Sequence, residues 1–354
     1  MKFGIYFLIA ACSAMAADKA GPAIPISAIA FHPAGKLLAV GGYSEVLLWD
    51  VEIAKLDRKL GNGALSGQVR SVAISKDGKL LAVTAGVPGV SGVVKLFDFD
   101  SGRELAALDR QSDEILSVVF SPDGKLVAAG GIDTQVRVWS VADRKLVATL
   151  KDHSAWINSI TFSPNGLLLA TCSNDKTLIV WDTATWKNLV QLPLTVTEVI
   201  TSAAFSPDNE VLAFTVAGLD ERAVRVYRTE SVMPGPEETD KAKIARKQFN
   251  LKTTRPYNVS GGSPLAILWA EKPKQRMFVA STDKTIKVMA NTGGVQQTFT
   301  GHMDWVYSLA LSADGAKLAT GRADGTVRLW NAVTGKQLAT LTQPAPDVLM
   351  KGAK

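Results

Sequence analysis

Short stretches of alternating apolar and polar residues recur along the whole chain, and tight polar turns separate them in pairs. The turn is clearest at 120–126, 162–168 and 205–209, and weaker copies stand at 31–35, 74–78 and 311–315. In the copy Pro122-Asp123-Gly124, proline fixes one backbone angle while aspartate and glycine tolerate the bend. The pattern predicts a strand, a tight turn and a second strand in each unit.

A third apolar stretch closes each unit and ends in a large side chain. These ends are Trp49, Phe97, Trp139, Trp181, Tyr227, Met289 and Trp330. Neighbouring ends are 41 to 48 residues apart, except for 62 residues between Tyr227 and Met289, and a fourth apolar stretch follows, for example at 146–150 and 337–341. Repeats of this length with four short strands are typical of a β-propeller, in which each blade is buried only by its neighbours. The sequence therefore predicts an all-β fold over residues 26–341, a seven-bladed β-propeller of four-stranded antiparallel blades.

Two sets of four residues repeat with the same spacing and resemble the WD-repeat family, as do the pairs Trp49-Asp50 and Trp181-Asp182. The first set is His153, Thr171, Asp175 and Trp181, and the second is His302, Thr320, Asp324 and Trp330. The resemblance implies that each set is a structural clamp, a hydrogen-bonded chain from the indole through the hydroxyl and the imidazole to the carboxylate.

The other blades depart from this pattern. The third blade has Asp133 and Trp139 without the histidine, the sixth has Asp283 but ends in Met289, and the second and fifth end in Phe97 and Tyr227. We expect packing alone to hold these blades. The long interval after Tyr227 predicts an insertion at about 229–263, rich in charge, proline and glycine, with a short helix at 237–247.

The first residues have the features of an export signal. Lys2 precedes an apolar run over 3–11, and Ala14-Met15-Ala16 forms a small-residue cleavage site. We expect a signal peptide at 1–16, a linker at 17–25, a C-terminal tail at 342–354 and a periplasmic or extracellular location in a bacterium. Lipidation of Cys12 and a buried first strand are alternatives. The remaining chain has no apolar run of membrane-spanning length.

Composition narrows the chemistry of this 354-residue chain. The net charge of +6 arises from interspersed charges, with no basic stripe for nucleic acid. The three histidines fall in different blades without metal-ligand spacing, and C-x-x-C-H is absent. A Thr, His and Asp set that occurs twice with a tryptophan fits a clamp better than an active site. We therefore expect no catalytic residue, no metal and no cofactor.

What remains is surface for a partner. The family resemblance places partners where each innermost strand begins, three and five residues after the clamp histidine. These positions are Trp156, Asn158, Trp305 and Tyr307, with Arg70 and Glu114, next to Leu116, in other blades. We expect a non-catalytic scaffold that binds another protein, an envelope or c-type cytochrome component being candidates. The alternatives are a hydrolase or lyase with an axial site, and a carbohydrate or small-ligand binder.

Overall fold

The computed structural model describes residues 24–61, 63–193, 198–218, 222–228, 257–259, 261–270, 275–290 and 294–344. Within these ranges the regular structure is entirely β, in seven four-stranded antiparallel sheets. Each sheet is built from four strands that are consecutive in the chain. The predicted seven-bladed β-propeller is confirmed.

Every blade runs from its innermost to its outermost strand in chain order. The first two blades are β1 (Ile29–Phe31), β2 (Leu37–Gly41), β3 (Val46–Asp50), β4 (Lys55–Leu60), β5 (Gln68–Ile74), β6 (Leu80–Val87), β7 (Ser91–Asp98) and β8 (Glu104–Gln111). The third and fourth are β9 (Ile115–Phe120), β10 (Leu126–Gly131), β11 (Val136–Ser140), β12 (Leu146–Leu150), β13 (Ile157–Phe162), β14 (Leu168–Ser173), β15 (Thr177–Asp182) and β16 (Asn188–Pro193). The fifth and sixth are β17 (Val199–Phe205), β18 (Val211–Ala217), β19 (Arg222–Arg228), β20 (Tyr257–Asn258), β21 (Pro264–Ala270), β22 (Arg276–Ser281), β23 (Ile286–Ala290) and β24 (Val295–Phe299). The seventh is β25 (Val306–Leu311), β26 (Lys317–Arg322), β27 (Thr326–Asn331) and β28 (Gln337–Thr342).

The predicted turns join the first and second strands and hold themselves together. Ser121 donates its hydroxyl proton to Asp123 at 2.6 Å and accepts the N–H of Leu126 at 2.9 Å. Gly124 has φ +72°, which glycine adopts without strain. The hydrogen bond from Ser121 lowers the pKa of Asp123, so the turn contains an ionised acceptor at neutral pH.

The hydrophobic core consists of seven clusters, each lying between two adjacent blades. Phe97 packs with Leu48 of the first blade, and Trp139 packs with Leu96 of the second. Met289 occupies the same place in the sixth blade, in contact with the cluster that contains Val224 of the fifth. The large residue that ends each third strand therefore fills the interface with the preceding blade, whether or not it is tryptophan.

The ring closes between the first and seventh blades without sharing a strand. The N–H of Ile26 donates to the carbonyl of Arg322 at 2.9 Å, and the Ser308 hydroxyl donates to the carbonyl of Ile26 at 2.9 Å. The Gln343 amide donates to the carbonyl of Gly41 at 3.0 Å. A Cβ at Gly321 would lie 2.5 Å from the Ile26 carbonyl oxygen, so this seam requires glycine.

The fifth blade differs in detail from the expected boundaries. Its last strand, β20, lies inside the interval 229–263 that was predicted to be an insertion. The predicted signal peptide 1–16, the helix at 237–247 and the end of the tail after 344 lie outside the described residues.

Candidate functional site on the upper face and axial channel

All innermost strands begin on one face of the ring, which we call the upper face. It is formed by the connections that precede these strands, such as 151–156, and by the turns between second and third strands, such as 174–176. The Ser-Pro-Asp-Gly turns lie on the opposite, lower face. The clamp histidines and the predicted partner residues therefore belong to the upper face.

The innermost strands of six blades each contain a β-bulge near the upper face. One residue is skipped in the register with the second strand, and this residue is Arg70, Leu116, Asn158, Thr201, Leu265 or Tyr307. A bulge redirects a side chain out of the strand alternation. Together with Pro25 and Ser27, these six residues line a cavity of about 190 Å³ at the mouth of the axial channel.

The bulges separate the predicted binding residues into two groups. Asn158, Tyr307 and Arg70 line the channel mouth. Trp156, Trp305 and Glu114 precede the bulge residues of their own blades, Asn158, Tyr307 and Leu116, by two positions and are absent from its lining. The predicted partner residues thus fall into an axial ring and a second group around it. The sequence marks the bulge position only by its constant distance from the clamp histidine.

Below the mouth, the channel is lined by hydroxyl groups over a volume of about 210 Å³. The serines of this ring are Ser71, Ser117, Ser159, Ser202 and Ser308. Ser71 accepts the N–H of Val118 at 3.2 Å, and Ser117 accepts the N–H of Ile160 at 3.1 Å, so each bond joins two blades. A hydroxyl that accepts in this way still has its own proton to donate.

Arg70 and Glu114 form one ion pair between the second and third blades. Arg70 Nε and Nη2 donate to the two carboxylate oxygens of Glu114 at 2.6 and 3.0 Å. The Arg70 side chain is 14% exposed and that of Glu114 is 5% exposed. The two predicted partner residues are therefore joined to each other, because the bulge of one blade reaches the start of the next.

The aromatic residues of the upper face are anchored through the backbone. Trp156 is 36% exposed, and its carbonyl accepts the N–H of Asn174 at 2.9 Å. Trp305 and Tyr307 are half-buried, and their rings meet edge to face with centroids 6.3 Å apart. Asn158 donates from its amide nitrogen to Asn174 Oδ1 at 2.7 Å and to the carbonyl of Ile200 at 2.8 Å. These side chains present fixed surfaces.

In the fourth blade, the four clamp residues lie in one hydrogen-bonded chain. Trp181 Nε1 donates to Thr171 Oγ1 at 3.0 Å, and Thr171 Oγ1 lies 2.7 Å from His153 Nε2. His153 Nδ1 lies 2.8 Å from Asp175 Oδ2. The indole can only donate and the carboxylate can only accept, so every hydrogen bond of the chain points from Trp181 towards Asp175. Thr171 therefore donates to Nε2 of His153, and His153 carries its proton on Nδ1. Burial opposes ionisation of Asp175, but hydrogen bonds from His153, Thr177 and the Ser154 N–H hold its pKa well below the usual range.

In the seventh blade, the chain is broken at the histidine. Trp330 Nε1 donates to Thr320 Oγ1 at 3.1 Å, but neither ring nitrogen of His302 has a hydrogen-bond partner among the described residues. Asp324 lies 2.5 Å from the Arg322 guanidinium instead. Arg322 stands where the fourth blade has Ser173, and its charge draws Asp324 away. The expectation of a second complete clamp was wrong.

His302 is consequently a neutral buried imidazole. Burial, together with the positive charges of Arg328 and Arg322, lowers the pKa of His302 to about 3. Its ring lies against that of Trp330, with centroids 4.8 Å apart. Its role is packing.

The third and sixth blades, which lack the clamp histidine, use ion pairs, so the expectation that packing alone holds these two blades was wrong. Arg137 Nη1 lies 2.6 Å from Asp133 in the third blade and 3.5 Å from Asp109 of the second. Lys287 pairs with Asp283 in the sixth blade. Both cations stand two residues before the large side chain of the third strand, Trp139 or Met289. A cation at this position is the sequence signal for such an ion pair.

The described residues contain no cluster of three or more His, Cys, Asp or Glu side chains suited to hold a metal ion. Cys172 is fully buried, and burial, followed by the charge of Asp175, raises the pKa of its thiol. A thiol in that state is a poor nucleophile. In the part of the chain that the structure describes, no helix is long and apolar enough to cross a membrane.

Comparison with known proteins identifies the family to which this seven-bladed ring with its clamp belongs. The WD domain, G-beta repeat family matches residues 20–50, 58–98, 102–140, 144–182 and 293–331. These matches cover more than half of the chain, and the protein belongs to the WD-repeat family.

Several relatives share part of this chain. Periodic tryptophan protein 2 of Saccharomyces cerevisiae is 32% identical over 89% of this chain and 32% of its own length. WD repeat-containing protein SL1-17 of Schistosoma mansoni is 36% identical over 34% of this chain and 38% of its own length. The human serine-threonine kinase receptor-associated protein is 24% identical over 76% of this chain and 68% of its own length. The chain thus spans well under half of the first two relatives.

Proposed function

We propose that the protein is a non-catalytic platform whose upper face binds another protein. The observation that carries this proposal is Trp156, a large aromatic side chain that is 36% exposed on a backbone fixed by hydrogen bonds. Tryptophan contributes apolar area and an N–H together and is enriched among residues that dominate protein interfaces. A relative named for its association with a receptor is consistent with protein binding.

Trp305 and Tyr307 are the second part of the proposed interface. Their edge-to-face pair lies in the seventh blade, beside the channel mouth that Tyr307 lines. The Arg70–Glu114 pair is already neutralised within the protein. It therefore orients the partner more than it attracts it, and the aromatic residues supply the affinity.

Export is part of the proposal and rests on the sequence of 1–16 alone. The leader is cleaved after Ala16, or the chain is lipidated at Cys12, and the partner is an envelope protein, a c-type cytochrome component being one candidate. Intact-mass measurement of the protein from its native cells tests this. A mass that begins at Met1 would contradict export with cleavage.

Alanine substitution tests the docking surface. The partner that co-purifies with the native protein is identified by mass spectrometry, and its affinity for purified variants is measured by titration. Trp156→Ala and Trp305→Ala should each weaken binding at least about tenfold, equivalent to 1.4 kcal/mol. Leu167→Ala is the control, since Leu167 is exposed on the lower face. If binding survives both changes but is lost on deletion of 234–247, the docking surface is the insertion.

A further inference from the structure

The cavity at the channel mouth is electrically neutral. Eight of the described residues line it, and Arg70 is the one charged side chain among these eight. Glu114 neutralises that charge from behind, at 2.6 and 3.0 Å. A ligand with a net charge would therefore lose hydration without gaining an uncompensated counter-charge.

The same cavity offers hydrogen-bond donors and acceptors that the protein does not use. Arg70 bonds Glu114 through Nε and Nη2, which leaves Nη1 without a partner among the described residues. Asn158 donates both of its bonds from the amide nitrogen, and within the described chain its Oδ1 accepts none. Both groups are immobilised by the bonds they already make, so binding costs little side-chain entropy. A group that fits this pair must both accept and donate, as a hydroxyl does.

Apolar surface alternates with these polar groups around the ring. Leu116 lies between Arg70 and Asn158, and Leu265 lies between Thr201 and Tyr307 in blade order. The aromatic ring of Tyr307 is held by its contact with Trp305. The hydroxyl ring of Ser71, Ser117 and Ser202 lies directly below. The mouth thus combines apolar patches with neutral polar groups on a scale of about 190 Å³.

We propose that the channel mouth binds one terminal unit of an uncharged saccharide. The pyranose ring presents an apolar C–H face to Tyr307 and Leu265 and vicinal hydroxyls to Arg70 and Asn158, while the serine ring receives an exocyclic hydroxyl through water or directly. The site shares Tyr307 with the proposed protein interface, whereas Trp156 lies outside the cavity lining.

Saturation-transfer NMR on the full mature chain tests this proposal. The probes are methyl glucoside, N-acetylglucosamine, galactose and mannose, together with cellobiose, lactose and chitobiose. At least one should bind with a Kd of about 10 mM or tighter, in the range that a few neutral contacts supply. Glucuronate and glucosamine should bind at least fivefold more weakly than their neutral counterparts.

Variants locate the binding. Leu265→Trp and, in a different blade, Leu116→Trp fill the mouth without removing a hydrogen bond, and each should weaken saccharide binding at least tenfold. Leu167→Trp on the lower face is the matched control, and melting temperatures identify any variant that fails to fold. Trp156→Ala should leave saccharide affinity unchanged, which separates this site from the protein interface. Absence of binding by every probe, stronger binding of glucuronate, or full binding by both folded mouth variants would overturn the proposal.

Discussion

His153 and His302 occupy equivalent positions but are in opposite electrostatic situations. His153 lies between a hydroxyl and an ionised carboxylate, whereas His302 faces Arg322 and Arg328 and has no hydrogen-bond partner among the described residues. One substitution in the second strand, arginine where the fourth blade has Ser173, accounts for the difference. Identical spacing in sequence therefore does not guarantee identical bonding.

Replacing each histidine by phenylalanine separates the two roles. His153→Phe breaks the link between Thr171 and Asp175 and should lower the free energy of unfolding by about 1.5 to 3 kcal/mol, as expected for a bond to a charged group. His302→Phe keeps an aromatic ring against Trp330 and removes no hydrogen bond of the described residues, so it should cost about 1 kcal/mol or less at pH 7. Urea denaturation of both variants measures the difference. Equal losses would mean that His302 is hydrogen-bonded after all.

His302 should also make stability depend on pH. Its pKa is about 3 in the folded protein, against 6.5 for an ordinary histidine. Below pH 6.5 the unfolded chain therefore binds a proton that the folded chain does not, and stability falls by about 1.4 kcal/mol per pH unit until pH approaches 3. Between pH 7 and pH 5 the wild-type protein should lose about 2 kcal/mol more than His302→Phe. Parallel pH profiles of the two proteins would contradict a neutral buried His302.

At the level of the blade, a cation near the end of the third strand replaces the histidine clamp. Arg137 and Lys287 pair with the turn aspartates of their blades, which are equivalent to the partner of His153. The two cations approach this turn from the third strand, whereas His153 approaches it from the connection before the innermost strand. Asp109 links Arg137 to the preceding blade as well. Different residues thus bind the equivalent turn to its blade in different blades.

A double-mutant cycle measures this replacement. Asp133→Asn and Arg137→Met, singly and together, should give a coupling energy of about 1 kcal/mol at low salt, since the pair is only partly exposed. The coupling should decrease in 1 M salt, where charges are screened over about 3 Å. The His153–Asp175 pair, which is almost fully buried, is the comparison and should change less. A coupling of zero at low salt would mean that packing alone holds the third blade.

The elements were predictable because their signals are local. Pro122-Asp123-Gly124 and the large ends such as Trp139 and Met289 mark strands through nearby residues. The pairing of Arg70 with Glu114, 44 residues away, depends on how a bulge in one blade faces the next. No single residue type marks the bulge, so the sequence predicts Arg70, Asn158 and Tyr307 as partner positions but not their place in one axial ring.

For the whole molecule, the seam between the first and seventh blades depends on close backbone approach. Gly321→Ala would place a Cβ 2.3 Å from Ser308 Oγ and 2.5 Å from the Ile26 carbonyl oxygen. We expect a loss of about 1 to 3 kcal/mol from overpacking. Gly130→Ala, at the matching place in the third blade, is the control, because its nearest contact would be 3.1 Å. Thermal unfolding of both variants measures the difference in stability. Equal melting temperatures would show that the seam accommodates the added methyl group without a loss of stability.

The pairing of strands within single blades also influences the order in which the chain can fold. Within the described residues, strand pairings join strands that follow one another in sequence. Every blade therefore closes only short loops, except the fifth, whose third and fourth strands are separated by residues 229–256. The bond between Ser308 and Ile26 spans 282 residues and cannot form until the last blade exists. Closing long loops carries the larger entropic cost and slows folding. We therefore expect the blades to assemble one after another as the chain emerges, N-terminus first, and the joining of the seventh blade to the first to be the slow final step.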